Sequence, residues 1–109
     1  MNIIDRFSKY LTAIEYPKTK TSWNISGIIK NKNAFYKFDV RDMFKLDDKT
    51  FAQTGVTNSN ADKIVLEFKN KWVILDLKEL HTYIKKYKLN KVDVEDLLLK
   101  LEWNIILDK

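Results

Sequence analysis

The sequence predicts an α+β fold: an N-terminal helix, an antiparallel sheet of four or five strands built from two β-hairpins, and helices packed on one face. Three observations predict it. Apolar residues at Ile3, Ile4, Phe7, Tyr10, Leu11 and Ile14 recur every three or four positions, the spacing of one helical face. Two later stretches each read as strand, polar turn and strand. The chain has 109 residues, 45% of them hydrophobic and 13% aromatic, which suits one core and one domain over residues 1–109.

The first element is expected to run from Ile3 to Ile14, capped by Asn2 and stopped by Pro17. The first hairpin pairs Ser22–Ile29 with Ala34–Val40 across the polar turn Lys30-Asn31-Lys32-Asn33. Asp39-Val40-Arg41-Asp42-Met43-Phe44 then reads as a helix start, with an aspartate at the cap and a second acid three residues on. Asp47–Asn60 is the most loop-like stretch. The second hairpin pairs Ile64–Phe68 with Trp72–Leu77, and Asp76 with Glu79 suggests a capping box for a helix over Leu80–Tyr87. Asp93 caps a last helix that ends at Leu101, and Trp103–Leu107 is β-prone. The two hairpins share Lys-Asn-Lys turns followed by Asp-apolar-basic-acid-apolar, which suggests a duplicated ββα unit. The periods assign Ile64, Leu66, Trp72, Ile74, Leu80, Ile84, Leu97 and Leu101 to the core.

Several chemistries are excluded by what the chain lacks. It has no cysteine and a single histidine, His81, so a zinc site or a Ser-His-Asp triad lacks its parts. Its two glycines, Gly27 and Gly55, are too few for a phosphate-cradling loop. Neither a disulfide framework nor a basic, apolar leader is present, and no apolar run reaches membrane-spanning length, so a cytoplasmic protein without membrane contact is expected.

One catalytic pattern stands out. Asp62, the strand Lys63–Phe68, a turn, and Trp72–Leu75 running into Asp76-Leu77-Lys78 resemble the core of the PD-(D/E)XK nucleases. That resemblance implies Asp62 and Asp76 as magnesium ligands and Lys78 as the residue that steadies the attacking water, with Glu15 in the place of an acid some members carry on their first helix. It covers about residues 62–78, no proline precedes Asp62, and Asp76 stands where glutamate is commoner. The helix-cap reading of Asp76 accounts for the same residue without a metal. A helix-turn-helix over Leu80–Leu101 is opposed by its own charge, since Asp93, Glu95, Asp96 and Glu102 would repel phosphate.

Charge points elsewhere. The net charge is +5, and residues 1–54 hold ten basic side chains against six acidic ones. No acid lies between Glu15 and Asp39, where Lys18, Lys20, Lys30, Lys32 and Lys37 interleave with Tyr16, Trp23, Phe35, Tyr36 and Phe38. Lysines beside aromatics on a sheet neutralise phosphate and stack bases. The expected nucleic-acid-binding residues are therefore Lys18, Lys20, Trp23, Lys30, Lys32, Tyr36 and Lys37. The expected function is non-enzymatic binding, without cofactor, of nucleic acid or of an acidic surface on a protein that handles it. Lysine-, asparagine- and isoleucine-rich usage fits an AT-rich genome, and small phage-type regulators share this make-up.

Overall fold

The computed structural model describes residues 2–43, 50–52 and 59–109. Among them are three helices, α1 (Ile3–Ser8), α2 (Leu77–Tyr87) and α3 (Val94–Lys100), and eight strands. The strands are β1 (Leu11–Glu15), β2 (Ile25–Ile29), β3 (Phe35–Asp42), β4 (Thr50–Ala52), β5 (Lys63–Glu67), β6 (Lys71–Asp76), β7 (Lys91–Asp93) and β8 (Asn104–Asp108). Six of them form one sheet in the order β1-β2-β3-β5-β6-β8, and β4 pairs separately with β7.

Both expected hairpins are present, β2 with β3 and β5 with β6, each antiparallel. They meet side by side through a parallel ladder from Phe38↔Lys63 to Asp42↔Glu67, so the large sheet is mixed rather than purely antiparallel. The parallel pairing on one side and β8 on the other leave β5 and β6 inside the sheet, with both faces covered. Such strands read as nearly continuous apolar runs, as Ile64-Val65-Leu66 and Trp72-Val73-Ile74-Leu75 do. Ile64, Leu66, Val73 and Leu75 pack beneath α2 and α3 with Leu80, Ile84, Leu97 and Leu101. Val65, Trp72 and Ile74 face the other way, against Phe7 of α1 and Ile25, Ile29 and Phe38 of the first hairpin. The eight expected core residues are all buried, but they serve two cores on opposite faces of the sheet. Helices accordingly lie on both faces, not on one.

Three further expectations change. The first helix stops at Ser8, and Leu11–Glu15 becomes an edge strand on β2. Only Leu11 of that strand is buried. Once Phe7 is seated, the open ladder of β2 gives the following residues backbone partners that a lengthened helix would forgo, and β-branched Thr12 and Ile14 suit a strand. Asp39 caps nothing: it is buried within β3, where Arg41 donates to both carboxylate oxygens and the Ser59 hydroxyl donates to one. The two hairpins therefore do not continue alike, because β3 runs on to Asp42 whereas Asp76 ends β6 and opens a helix. Of the expected loop Asp47–Asn60, Thr50–Ala52 is a strand and the rest lies mostly outside the described residues.

Two buried charges sit at the ends of β5 on the face shared with Val65. Lys63 bonds Asp76 at 2.7 Å, its direct partner across β6. Glu67, 2% exposed, accepts from Arg6 through Nε at 3.0 Å and Nη2 at 2.7 Å, and from Lys109 at 2.9 Å. Burial pushes the Glu67 carboxyl up, but the bonds from Arg6 and Lys109 outweigh it and hold the group below the usual glutamate range.

Truncating Ile74 or Leu97 to alanine removes a buried side chain from one core each, and each is expected to cost about 2–5 kcal/mol in denaturant unfolding. For Glu67 the lowered pKa sets the sign. Its stabilisation is complete above the unfolded value near ~4.3 and is lost as pH falls through the lower folded one. Glu67→Gln should therefore lower the melting temperature near neutrality, and the gap to the native protein should narrow on acidification. A gap that stays constant with pH would contradict the charge clamp.

Candidate functional site

The groove that gathers Tyr16, Trp23 and Phe35 lies at the β1 edge of the sheet. It encloses about 680 Å³ and is lined by Ile14, Glu15, Tyr16, Pro17, Lys18, Trp23, Ser26, Phe35 and Lys37. Strand parity builds it. Ser26 pairs with Lys37 and Ile28 with Phe35, so these side chains share one face of the hairpin, while Tyr36 and Phe38 take the other. Three of the large apolar residues left exposed on the molecule are Ile14, Tyr16 and Phe35, at 37%, 54% and 45%, and all three line this groove.

Hydrogen bonds hold the walls in place. Trp23 is flanked by Ser22 and Asn24, and both are fixed. The Ser22 hydroxyl bonds the Asn60 side chain and accepts from the Asn60 backbone N–H at 2.8 Å. Asn24 donates its N–H to Phe38 O at 2.8 Å and accepts from Val40 N at 2.7 Å. The Lys37 backbone is held on both sides by Asp62, whose carboxylate accepts the Lys37 N–H at 2.8 Å and whose N–H donates to Lys37 O at 2.8 Å. The Lys37 ammonium lies 5.5 Å from the centre of the Trp23 ring, within reach of a cation–π contact. Gly27 is required beside the groove, because a Cβ there would stand 2.8 Å from the Thr12 backbone oxygen.

Of the seven residues expected to bind nucleic acid, Lys18, Trp23 and Lys37 converge here. Lys30 and Lys32 are exposed at the hairpin turn, and Lys20 is exposed between β1 and β2; none of them lines the groove. Tyr36 belongs to the opposite face, 5.9 Å from the Trp103 ring and 4.4 Å from the Lys63 ammonium. Alternation along Phe35-Tyr36-Lys37-Phe38 carried the signal that separates Tyr36 from Lys37. Ile14, Glu15 and Ser26 are not among the expected binding residues; the helical period over Ile3–Ile14 conceals the edge strand that brings Ile14 and Glu15 to the hairpin.

The nuclease set is arranged differently. Asp62 serves the β3 backbone as described. Asp76 accepts from Lys63 at 2.7 Å and from the Glu79 N–H at 2.9 Å, so both its oxygens are engaged, one of them as the α2 cap. Burial raises the Asp76 carboxyl, while Lys63 and the cap N–H more than reverse this and hold it below the usual range. A second cleft of about 450 Å³ is lined by Asp76 and Lys78 together with Lys63, Glu79, Thr82, Glu102 and Trp103; Asp62 does not reach it, and Glu15 lies in the other groove. Among the described residues no three His, Cys, Asp or Glu side chains are grouped to hold a metal. The Glu79 carboxylate does not close a capping box; it accepts from the backbone of Glu102 and Trp103 at 2.9 and 3.0 Å and so ties the entry to β8.

Comparison with known protein families, with curated proteins and with solved structures finds no match to this chain.

Asp76→Ala removes a cap and the partner of a buried lysine. Loss of the cap alone costs about 1 kcal/mol, and the stranded Lys63 makes the total larger. Asp93→Ala, where the cap to Glu95 and Asp96 stands alone, should cost about 1 kcal/mol in the same unfolding assay. Equal losses at the two positions would show that the Lys63 pair adds nothing.

Proposed function

We propose that this domain is a non-enzymatic module that binds nucleic acid in the groove between β1 and the first hairpin. The observation that supports this most directly is the convergence of Lys18 and Lys37 on one groove with Tyr16, Trp23 and Phe35. Lysines supply sequence-independent attraction to phosphate, and aromatic rings offer platforms on which bases stack. Lys20, Lys30 and Lys32 surround the groove's elements with further positive charge and no acid lies between Glu15 and Asp39, so the approach of a polyanion is favoured from that side. The neighbours of Trp23 and the backbone of Lys37 are already held by hydrogen bonds, which lowers the entropy lost on binding. No helix among the described residues is long and apolar enough to cross a membrane, and our reading places the module in the cytoplasm.

Anisotropy titration of labelled single-stranded and duplex oligonucleotides at two salt concentrations tests the reading. Affinity should fall steeply with salt. The double variant Lys18→Glu, Lys37→Glu should lose more affinity than Lys30→Glu, Lys32→Glu, and Trp23→Ala should weaken binding by about tenfold through lost stacking. All three changes lie on exposed or half-buried positions, so circular dichroism should be unchanged. Absence of binding to every oligonucleotide at low salt would overturn the proposal and turn attention to a protein with an acidic surface.

A further inference from the structure

Among the described residues, Glu15 is the one acidic residue lining the groove. Its carboxylate makes no hydrogen bond or ion pair among the described residues, although Lys18 and Lys37 line the same groove. A carboxylate opposes phosphate, so in a site that gathers lysines its presence calls for a cause.

The backbone supplies one. Leu11 pairs with Ile29 and Thr12 with Ile28, a register that would bring Ile14 opposite Ser26. A bulge intervenes: Ala13 adopts φ 54°, in the left-handed region, and Glu15 stands opposite Ser26 in place of Ile14. For alanine that conformation costs on the order of 1–2 kcal/mol. Bulges re-aim side chains in this way. Ser26 in turn pairs with Lys37. Glu15, Ser26 and Lys37 thus form one row across three strands, with a small side chain in the middle. Two strand spacings separate the outer members, about 10 Å between backbones. The trough between them has a hydrogen-bond acceptor at one end, a cation at the other and aromatic walls.

We infer that Glu15 is a specificity-determining residue that selects an unpaired guanine in the groove. The assignment rests on the nucleic-acid reading above and sharpens it. Unpaired bases are read on their Watson–Crick edges while stacked on aromatic side chains. Guanine presents two adjacent donors there, N1–H and the 2-amino group, which match the two oxygens of a carboxylate. Thymine and uracil present one donor between two carbonyl oxygens that repel it, and cytosine and adenine offer only an amino group beside ring acceptors. In duplex DNA or RNA the same edge is occupied by its partner, so the selection applies to single strands. Lys37, across the row, is placed for the phosphate of the bound nucleotide.

The test uses a labelled eight-nucleotide thymidine strand, the same strand with one central guanine, and one with hypoxanthine, which keeps N1–H and lacks the 2-amino group. The native protein should bind the guanine strand about tenfold more tightly than the all-thymine strand, with hypoxanthine between them. Glu15→Gln keeps one acceptor and adds a donor. It should reduce the guanine preference to about twofold or less, while binding the all-thymine strand as well as or better than the native protein because a negative charge is gone. Equal affinity of the native protein for guanine and thymine strands, or a preference that survives Glu15→Gln, would overturn the role of Glu15 and leave nucleic-acid binding standing. Failure of all three strands to bind at low salt would instead overturn the underlying reading, and this assignment with it.

Discussion

The parallel ladder between β3 and β5 is the contact on which the arrangement depends. Each hairpin alone has two open edges, and a two-stranded hairpin is marginal in water. Joining them edge to edge from Phe38↔Lys63 to Asp42↔Glu67 makes one sheet in which β5 and β6 are interior strands. These strands can then be apolar on both faces, since α2 and α3 cover one and α1 with the first hairpin's inner residues covers the other. Asp62 starts the ladder: it bonds the Lys37 backbone on one side, and its carbonyl accepts the Leu77 N–H at 3.1 Å on the other. The residue that opens the parallel pairing is thus also the one that holds Lys37 in the groove.

A strand buried on both faces has little to fix its register, because a slip by one residue exchanges one apolar set for another. Here the charges do that work. Lys63 and Glu67 stand at the two ends of one face of β5, and in the observed register both meet opposite charge together, Lys63 at Asp76 and Glu67 at Arg6 and Lys109. Buried ion pairs contribute little net stability but leave a costly lone charge when misaligned. Their value is selection among packings. Tyr36 and Trp103 stack about the Lys63 ammonium, at 4.4 and 3.7 Å, so these two aromatics are spent on the clamp and are not offered to a ligand.

The second half of the chain was legible because local and long-range signals agree there. Lys69-Asn70-Lys71 turns the hairpin, and Asp76 and Asp93 cap the helices as their spacing implies. In the first half they diverge. Ile3-Ile4-Phe7-Tyr10-Leu11-Ile14 has the period of a helix, yet from Leu11 onward the free edge of β2 decides the conformation. Asp39 carries the pattern of a cap, but the ladder with β5 keeps its segment extended. A pairing between strands distant in sequence leaves no periodic trace, so neither outcome was readable from local pattern. The site suffered accordingly: lysines and aromatics were recognisable by composition, whereas Glu15 and Ser26 became site residues only through β1 and its bulge.

That bulge connects the stability of the edge to the chemistry of the groove. β1 is an edge strand with Thr12, Ala13, Ile14 and Glu15 exposed, the kind of surface on which a second chain could add a strand. The left-handed Ala13 breaks the regular sequence of donors and acceptors along that edge, which discourages such pairing. It also turns Ile14, Tyr16 and Glu15 toward a common groove with Trp23 and Phe35. A straight β1 would place an isoleucine opposite Ser26 and fill the trough with hydrocarbon. The irregularity therefore makes the edge a poor partner for another strand while leaving an aromatic, mixed-charge trough open to a ligand, and one local backbone choice accounts for both properties.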